Sequence, residues 1–172
     1  MAKDYSEDQL IQRSAAELLE KELGWTSVYA FDKEVLGLNG TLGRTSYQEV
    51  LLTGRFRKAL KTLNPWMTDK QLQEATERMT EYMSSQTLMQ INEQKYQYIK
   101  DGVPVTRIKP NGETEEVRAK VIDFASPEKN DFLCVREMWV YGALYHRRAD
   151  IVGFVNGLPL LFMELKNHDV EV

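Results

Sequence analysis

The sequence predicts an α/β fold, a mixed sheet flanked by helices, and three observations carry that expectation. Helix-capping signals open successive amphipathic stretches through the first hundred positions. Past position 103 the pattern changes to β-rich runs, two of them joined by Pro110-Asn111-Gly112, a strong hairpin signal. Near the C-terminus two largely apolar runs flank Asn156-Gly157, which reads as a second hairpin.

The elements follow in order. Ser6 and Gln9 have capping-box spacing, and Leu10, Ile11, Ala15, Leu18, Leu19 and Leu23 form an apolar stripe that Gly24 stops. Val28 to Phe31 is a short β-like run, followed by a loop with Gly37, Asn39, Gly40 and Gly43 that shows no packing pattern. A second capping box, Ser46 to Glu49, opens a helix that should end before Asn64-Pro65, because the residue before proline disfavours helical backbone. A third, Thr68 to Gln71, opens a helix with Leu72, Ala75, Met79, Tyr82 and Met83 on its packing face, and a fourth helix covers 87–100. This helical segment spans about 46–100, and a catalytic sheet is expected over about 103–166. Its strands are 103–108, 116–124, 132–140, 149–155 and 158–166, the last two apolar on both faces as central strands are.

With 172 residues the chain is read as a single domain over 1–172. Hydrophobic content of 42% and charged content of 28% exclude wholesale disorder, and a net charge of −4 gives no whole-chain sign of nucleic-acid binding. One cysteine, Cys134, excludes an internal disulfide framework and a cysteine-rich zinc site and fits a reducing cytosol. The N-terminal stretch lacks the apolar core of a signal peptide, and no apolar run reaches the roughly 18 residues of a membrane span. A soluble cytoplasmic protein without membrane association is expected.

The chemistry concentrates in "RRADIVGFVNGLPLLFMELK", residues 147–166. Glu164 closes an apolar run, where an unpaired charge is disfavoured. Glu164 and Lys166 stand two apart on a strand and therefore share a face. Whether Asp150 joins them depends on register. A strict two-residue turn at Asn156-Gly157 pairs Val155 with Leu158 and Asp150 with Met163, which turns Asp150 away from Glu164. One extra residue in a bulge brings Asp150 opposite Glu164, and Pro159, which cannot donate to the ladder, already weakens the pairing there. The site therefore requires an irregular hairpin. Two carboxylates and a backbone carbonyl at one point form a hard oxygen site suited to Mg²⁺, which can hold a phosphate oxygen and activate water for phosphodiester hydrolysis. No Gly-rich phosphate loop and no Ser/His/Asp set at a recognisable spacing competes.

Asp150, followed by Glu164-Leu165-Lys166, resembles the D…(D/E)xK core of the PD-(D/E)xK nucleases. The fuller string through Asn167, with the N-terminal capped helix and "ELGW", resembles the N-terminal nuclease domain of the motor (R) subunit of type I restriction enzymes. The likeness is strongest over 145–168 and weaker over 6–31. It implies a restriction-endonuclease-like core with a helical insertion, Asp150 and Glu164 as metal ligands with the Leu165 carbonyl as a third, and Lys166 as the catalytic lysine. Glu7 is the candidate for an acidic ligand from the first helix, although a Glu in a first helical turn is also favoured by the macrodipole. Ala149 stands where the family name has proline. The family continues with a Gln-x-x-x-Tyr motif and an ATP-driven DNA translocase. The chain, ending at Val172, thus reads as a fragment of a larger subunit. Implied partners are double-stranded DNA, the methyltransferase and specificity subunits, and the subunit's own C-terminal motor domains, where ATP would be used.

Other residues carry paired readings. Arg147 and Arg148 can contact DNA phosphates or pair with local carboxylates. His146 reads as a partly buried or surface histidine, His168 as an exposed loop residue, and Cys134 as a core residue. Arg55, Arg57, Lys58 and Lys61 form either a solvated helix face or a DNA-facing one. The function class opposed to a nuclease is a catalytically silent DNA-binding or docking module that keeps a nuclease-like sheet.

Overall fold

The computed structural model describes residues 7–82 and 85–165, with side chains from residue 11 onward. Eleven elements follow one another among them. They are α1 (Glu7–Leu23), β1 (Thr26–Tyr29), α2 (Thr53–Leu63), α3 (Asp69–Thr80), α4 (Leu88–Asp101), β2 (Val103–Ile108), β3 (Thr114–Ala119), a 3₁₀ turn η1 (Pro127–Lys129), β4 (Phe132–Tyr141), β5 (His146–Val155) and β6 (Leu158–Met163). The chain forms two compact units, one from residues up to Leu52 with Asp131 onward, the other from Thr53–Asn130.

The first unit is built on a four-stranded mixed sheet of order β1-β4-β5-β6, with β1 parallel to β4 and the other pairs antiparallel. One face meets α1, where Ala16 and Leu19 pack with Cys134 and Ile151, and with Trp25, Leu161 and Met163 at the margin. The helical stripe is rotated from its expected place, since Ile11, Leu18 and Leu23 are exposed and Gln12, Ala16 and Leu19 are buried. Small alanines let the helix approach the sheet, and a buried glutamine can join that face because it finds a hydrogen-bond partner on β4.

The other face is covered by the irregular segment 30–52 rather than by a helix. Ala30, Leu42 and Leu52 pack there with Leu133, Val135, Met138, Val152 and Phe154. The helix expected from Ser46 starts only at Thr53, as α2, and ends at Leu63, before Asn64-Pro65 as expected. Glu49 turns its carboxylate to the Thr45 backbone N–H (2.9 Å) and hydroxyl (3.2 Å), and the Leu52 N–H donates to Gly157 O (3.0 Å) at the β5–β6 turn. Arg44 anchors the segment. Its fully buried guanidinium grips Glu34 through two bonds (2.6 and 2.7 Å) and donates to Trp139 O (2.7 Å), which satisfies an otherwise costly buried charge.

In the second unit α3 and α4 begin at complete capping boxes, Thr68 with Gln71 and Thr87 with Gln90. Asn64 precedes Pro65 and is buried. Its side chain accepts from the Lys120 N–H (2.8 Å) and donates to Lys120 O (2.7 Å), a two-way bridge that ties the end of α2 to the chain beyond β3. Residues 103–108 and 114–119 pair as their own two-stranded sheet, so the strands of 103–166 do not form one sheet. The strand expected to reach Phe124 ends at Ala119, where Asp123 instead accepts from the N–H groups of Ala125 and Ser126 in a turn. Tyr82 lies past the end of α3 and is exposed rather than packed.

β6 is an edge strand among the described residues, with Leu160 and Phe162 exposed, and not the covered central strand that its apolar run suggested.

Candidate functional site

The β5–β6 hairpin turns through Asn156 (φ 54°) and Gly157 (φ 79°), both left-handed, and Val155 pairs with Leu158 as a strict two-residue turn requires. Phe154 then pairs with Pro159, but Gly153 pairs with Leu161, so Leu160 is an extra residue. The bulge that the parity argument demanded is therefore present, one position after the proline. Beyond it Val152 pairs with Phe162 and Ile151 with Met163. The paired ladder ends there, with Asp150 and Glu164 the next positions on the two strands.

Asp150 is half-buried, and its Oδ2 accepts a hydrogen bond from the Leu165 backbone N–H at 2.6 Å. This bond clamps the chain just past β6 onto β5. Glu164 is exposed and lines a cleft of about 570 Å³ whose walls include Arg147, Val152, Leu160 and Phe162. The cleft is mostly apolar with a few polar groups at its edge, the usual make-up of a ligand site. Asp150 is not among its walls. Glu164 thus escapes the burial that its apolar context implied. Lys166 and His168 lie outside the described residues. Glu7 starts α1, and its side chain is likewise outside them. Among the described residues no group of three His, Cys, Asp or Glu side chains is placed to hold a metal ion. Asp150 and Glu164 are hard oxygen donors just past the last recorded β5–β6 pair, and carboxylate oxygens are the donor chemistry that suits Mg²⁺.

A third carboxylate beside the pair escaped the sequence reading. β4 and β5 hold one register from Phe132↔Val155 to Tyr141↔His146, with Glu137 and Asp150 the opposed positions that drop out of the ladder. Glu137 has φ 57°, a left-handed backbone rare outside glycine and costing about 1–2 kcal/mol. Val135 and Met138, three apart, consequently join the same core cluster, as do Ala149 and Val152 on β5. The Glu137 side chain is 9% exposed. Its Oε1 accepts from Gln12 Nε2 of α1 at 2.7 Å, and its Oε2 lies 2.5 Å from Arg148 Nε. The only sequence signal for it was a carboxylate inside an apolar β-run, the same signal that drew attention to Glu164.

The two arginines divide. Both are exposed, but Arg148 lies over the rings of Phe31 (4.7 Å) and Trp139 (5.8 Å) while ion-paired with Glu137. His146 is exposed and stacks flat on Tyr141, with centroids 3.8 Å apart. Cys134 is fully buried, and that burial pushes its thiol pKa up. On α2 two of the four basic residues serve neighbouring structure, Arg57 donating to Gln73 (2.6 Å) and Lys61 to Met67 O. No helix among the described residues is long and apolar enough to cross a membrane.

Comparison with known proteins converges on one group. Residues 4–172 match the family described as Type I restriction enzyme R protein N terminus. The chain is 31% identical over 165 residues to a protein provisionally named the type I restriction enzyme MjaIXP endonuclease subunit of Methanocaldococcus jannaschii, covering 94% of this chain and 15% of that protein. It is 29% identical over 148 residues to the type I restriction enzyme HindI endonuclease subunit of Haemophilus influenzae, covering 86% of this chain and 14% of the relative. The chain thus spans about one seventh of the length of these relatives.

Proposed function

Because the chain belongs to the family of type I restriction enzyme R protein N termini, we propose that it is the Mg²⁺-dependent endonuclease domain of such a subunit, with a PD-(D/E)xK core that hydrolyses phosphodiester bonds of double-stranded DNA. The observation that supports this reading is the bulge at Leu160, which shifts β6 by one residue against β5 and leaves Asp150 and Glu164 as the next positions past the last pair, Ile151 with Met163. A hairpin without it would separate the two carboxylates. Glu164 stands exposed just past an edge strand and lines a cleft, a place where a carboxylate serves no packing.

Asp150 and Glu164 would hold the metal, with the Leu165 carbonyl as a third donor and Glu7 as a candidate from α1. A bound Mg²⁺ supplies Lewis-acid polarisation of a phosphate oxygen and a more acidic water. The chain's own residues do the rest. The Leu165 N–H fixes one Asp150 oxygen, which leaves its other oxygen oriented. Lys166 would orient the attacking water or neutralise developing charge. Arg147 and Arg148 would contact backbone phosphates and so position the duplex. The partners proposed are DNA, the methyltransferase and specificity subunits, and the motor domains of the same subunit, which would consume the ATP.

A second reading, a silent DNA-binding or docking module, draws on the Asp150 carboxylate being engaged internally by Leu165. The two are separated by cleavage in the assembled enzyme. Asp150→Ala, Glu164→Ala and Lys166→Ala are each expected to abolish Mg²⁺-dependent DNA cleavage by the intact subunit in its complex while ATP hydrolysis persists. Retained cleavage in all three variants would overturn the nuclease reading.

A further inference from the structure

We infer that Glu137 is a positioning residue, which with Gln12 fixes the Arg148 guanidinium as a preformed subsite for a DNA backbone phosphate next to the carboxylate pair. The inference rests on the nuclease reading and adds to it the residues that build the phosphate contact.

The argument begins with what Glu137 does. A carboxylate with a 9% exposed side chain, on a left-handed backbone in the middle of a strand, combines two unfavourable features at one position. Its two oxygens are used separately. Oε1 takes the Gln12 amide at 2.7 Å, which ties the carboxylate to α1, and Oε2 faces Arg148 Nε at 2.5 Å. Arg148 is thereby held at its inner nitrogen by an ion pair that lacks hydrogen-bond geometry, and its guanidinium carbon lies over the rings of Phe31 and Trp139. A guanidinium fixed at Nε and stacked on aromatic rings has little rotamer freedom left, and its outer edge carries the two terminal nitrogens in the fork that matches a phosphate.

Position supplies the ligand. Arg148 stands two residues from Asp150 on β5, and Glu137 is opposite Asp150 in the β4–β5 register. His146 and Arg147 are exposed beside it, so this end of β5 presents consecutive basic side chains. A polyanion lying across Asp150 and Glu164 would meet them.

The sign of one substitution separates positioning from simple electrostatics. Glu137→Gln removes a negative charge near the DNA, which on charge alone would tighten binding. If Glu137 positions Arg148, the same change weakens it. The test is the binding of a short DNA duplex to the 172-residue chain, followed by fluorescence anisotropy against salt concentration, with chelator present so that neither metal nor cleavage contributes. Arg148→Ala is expected to weaken binding roughly tenfold and to reduce the slope of log K against log salt by about 0.9, the share of one phosphate contact. Glu137→Gln should weaken binding in the wild-type background and have no further effect on Arg148→Ala. Equal or tighter binding by Glu137→Gln would overturn the inference, as would unchanged binding by Arg148→Ala or failure of the wild type to bind. Should Glu137→Gln not fold, Arg148→Lys decides. It keeps the charge but loses the fork and the stack, so weakened binding supports the subsite and wild-type binding overturns it. Cleavage that survives Asp150→Ala, Glu164→Ala and Lys166→Ala would sink the nuclease reading without touching this measurement.

Discussion

Gly153 has no room for a side chain. A Cβ there would stand 2.8 Å from Leu161 Cβ and 2.9 Å from Trp25 Cζ3, against the edge strand on one side and the residue after α1 on the other. Because Gly153 pairs with Leu161 immediately beyond the bulge, the close approach lies at the point where the hairpin register changes. Gly153→Ala is expected to destabilise the chain by about 1–3 kcal/mol, the range for overpacking a filled site. Urea unfolding followed by tryptophan fluorescence measures it, and an unchanged midpoint would show that Leu161 and Trp25 yield freely. Single residues were unevenly legible in the sequence. Asp150 and Glu164 stood out because carboxylates at the ends of apolar runs conflict with burial, and Cys134 read correctly as core. Glu137 and Gln12 did not stand out, because their meaning lies in a bond between α1 and β4 across 125 positions of chain, which no local pattern encodes.

At the scale of elements, Leu160 decides what the hairpin can do. The turn itself is regular, so the extra residue alone shifts every later position of β6 by one against β5. Inserting one alanine between Leu161 and Phe162 is therefore expected to set Met163 rather than Glu164 against Asp150, to turn Glu164 to the opposite face, and to abolish cleavage by the intact subunit. Circular dichroism should report a folded domain, and full cleavage by such an insertion would contradict the register argument. The need for this bulge could be read from parity, but its position could not, since bulges answer to packing around Gly153 and Pro159. The start of α3 was legible because a capping box is closed within four residues. The same four-residue pattern at Ser46 misled. Glu49 had a nearer partner in Thr45, and Arg44 with Glu34 holds the surrounding segment in an irregular path. Segment 30–52 showed no apolar period for the same reason, being fastened by a buried ion pair as much as by hydrophobic residues.

For the whole molecule, fold class was the most accessible property and sheet assembly the least. Runs of β-rich sequence announced strands, yet local pattern does not say which strands join. β2 and β3 satisfy each other across a six-residue register, while β4 pairs with both β1 from the N-terminal end and β5 from its own hairpin. The helices and strands of Thr53–Asn130 form a compact unit of their own between β1 and β4 in the chain, so an insertion separates α1 and β1 from the strands they pack against. Family membership is carried by residues 4–172 as a whole, whereas the proposed chemistry is carried by a handful of side chains at the ends of β5 and β6. The most direct measurement of the central claim is divalent-ion binding to the chain, followed by Mn²⁺ paramagnetic resonance. The account predicts that the wild type binds Mn²⁺ and that Asp150→Ala, Glu164→Ala and the insertion of one alanine between Leu161 and Phe162 each lose that binding while remaining folded. Mn²⁺ binding of wild-type strength in all three variants would contradict it.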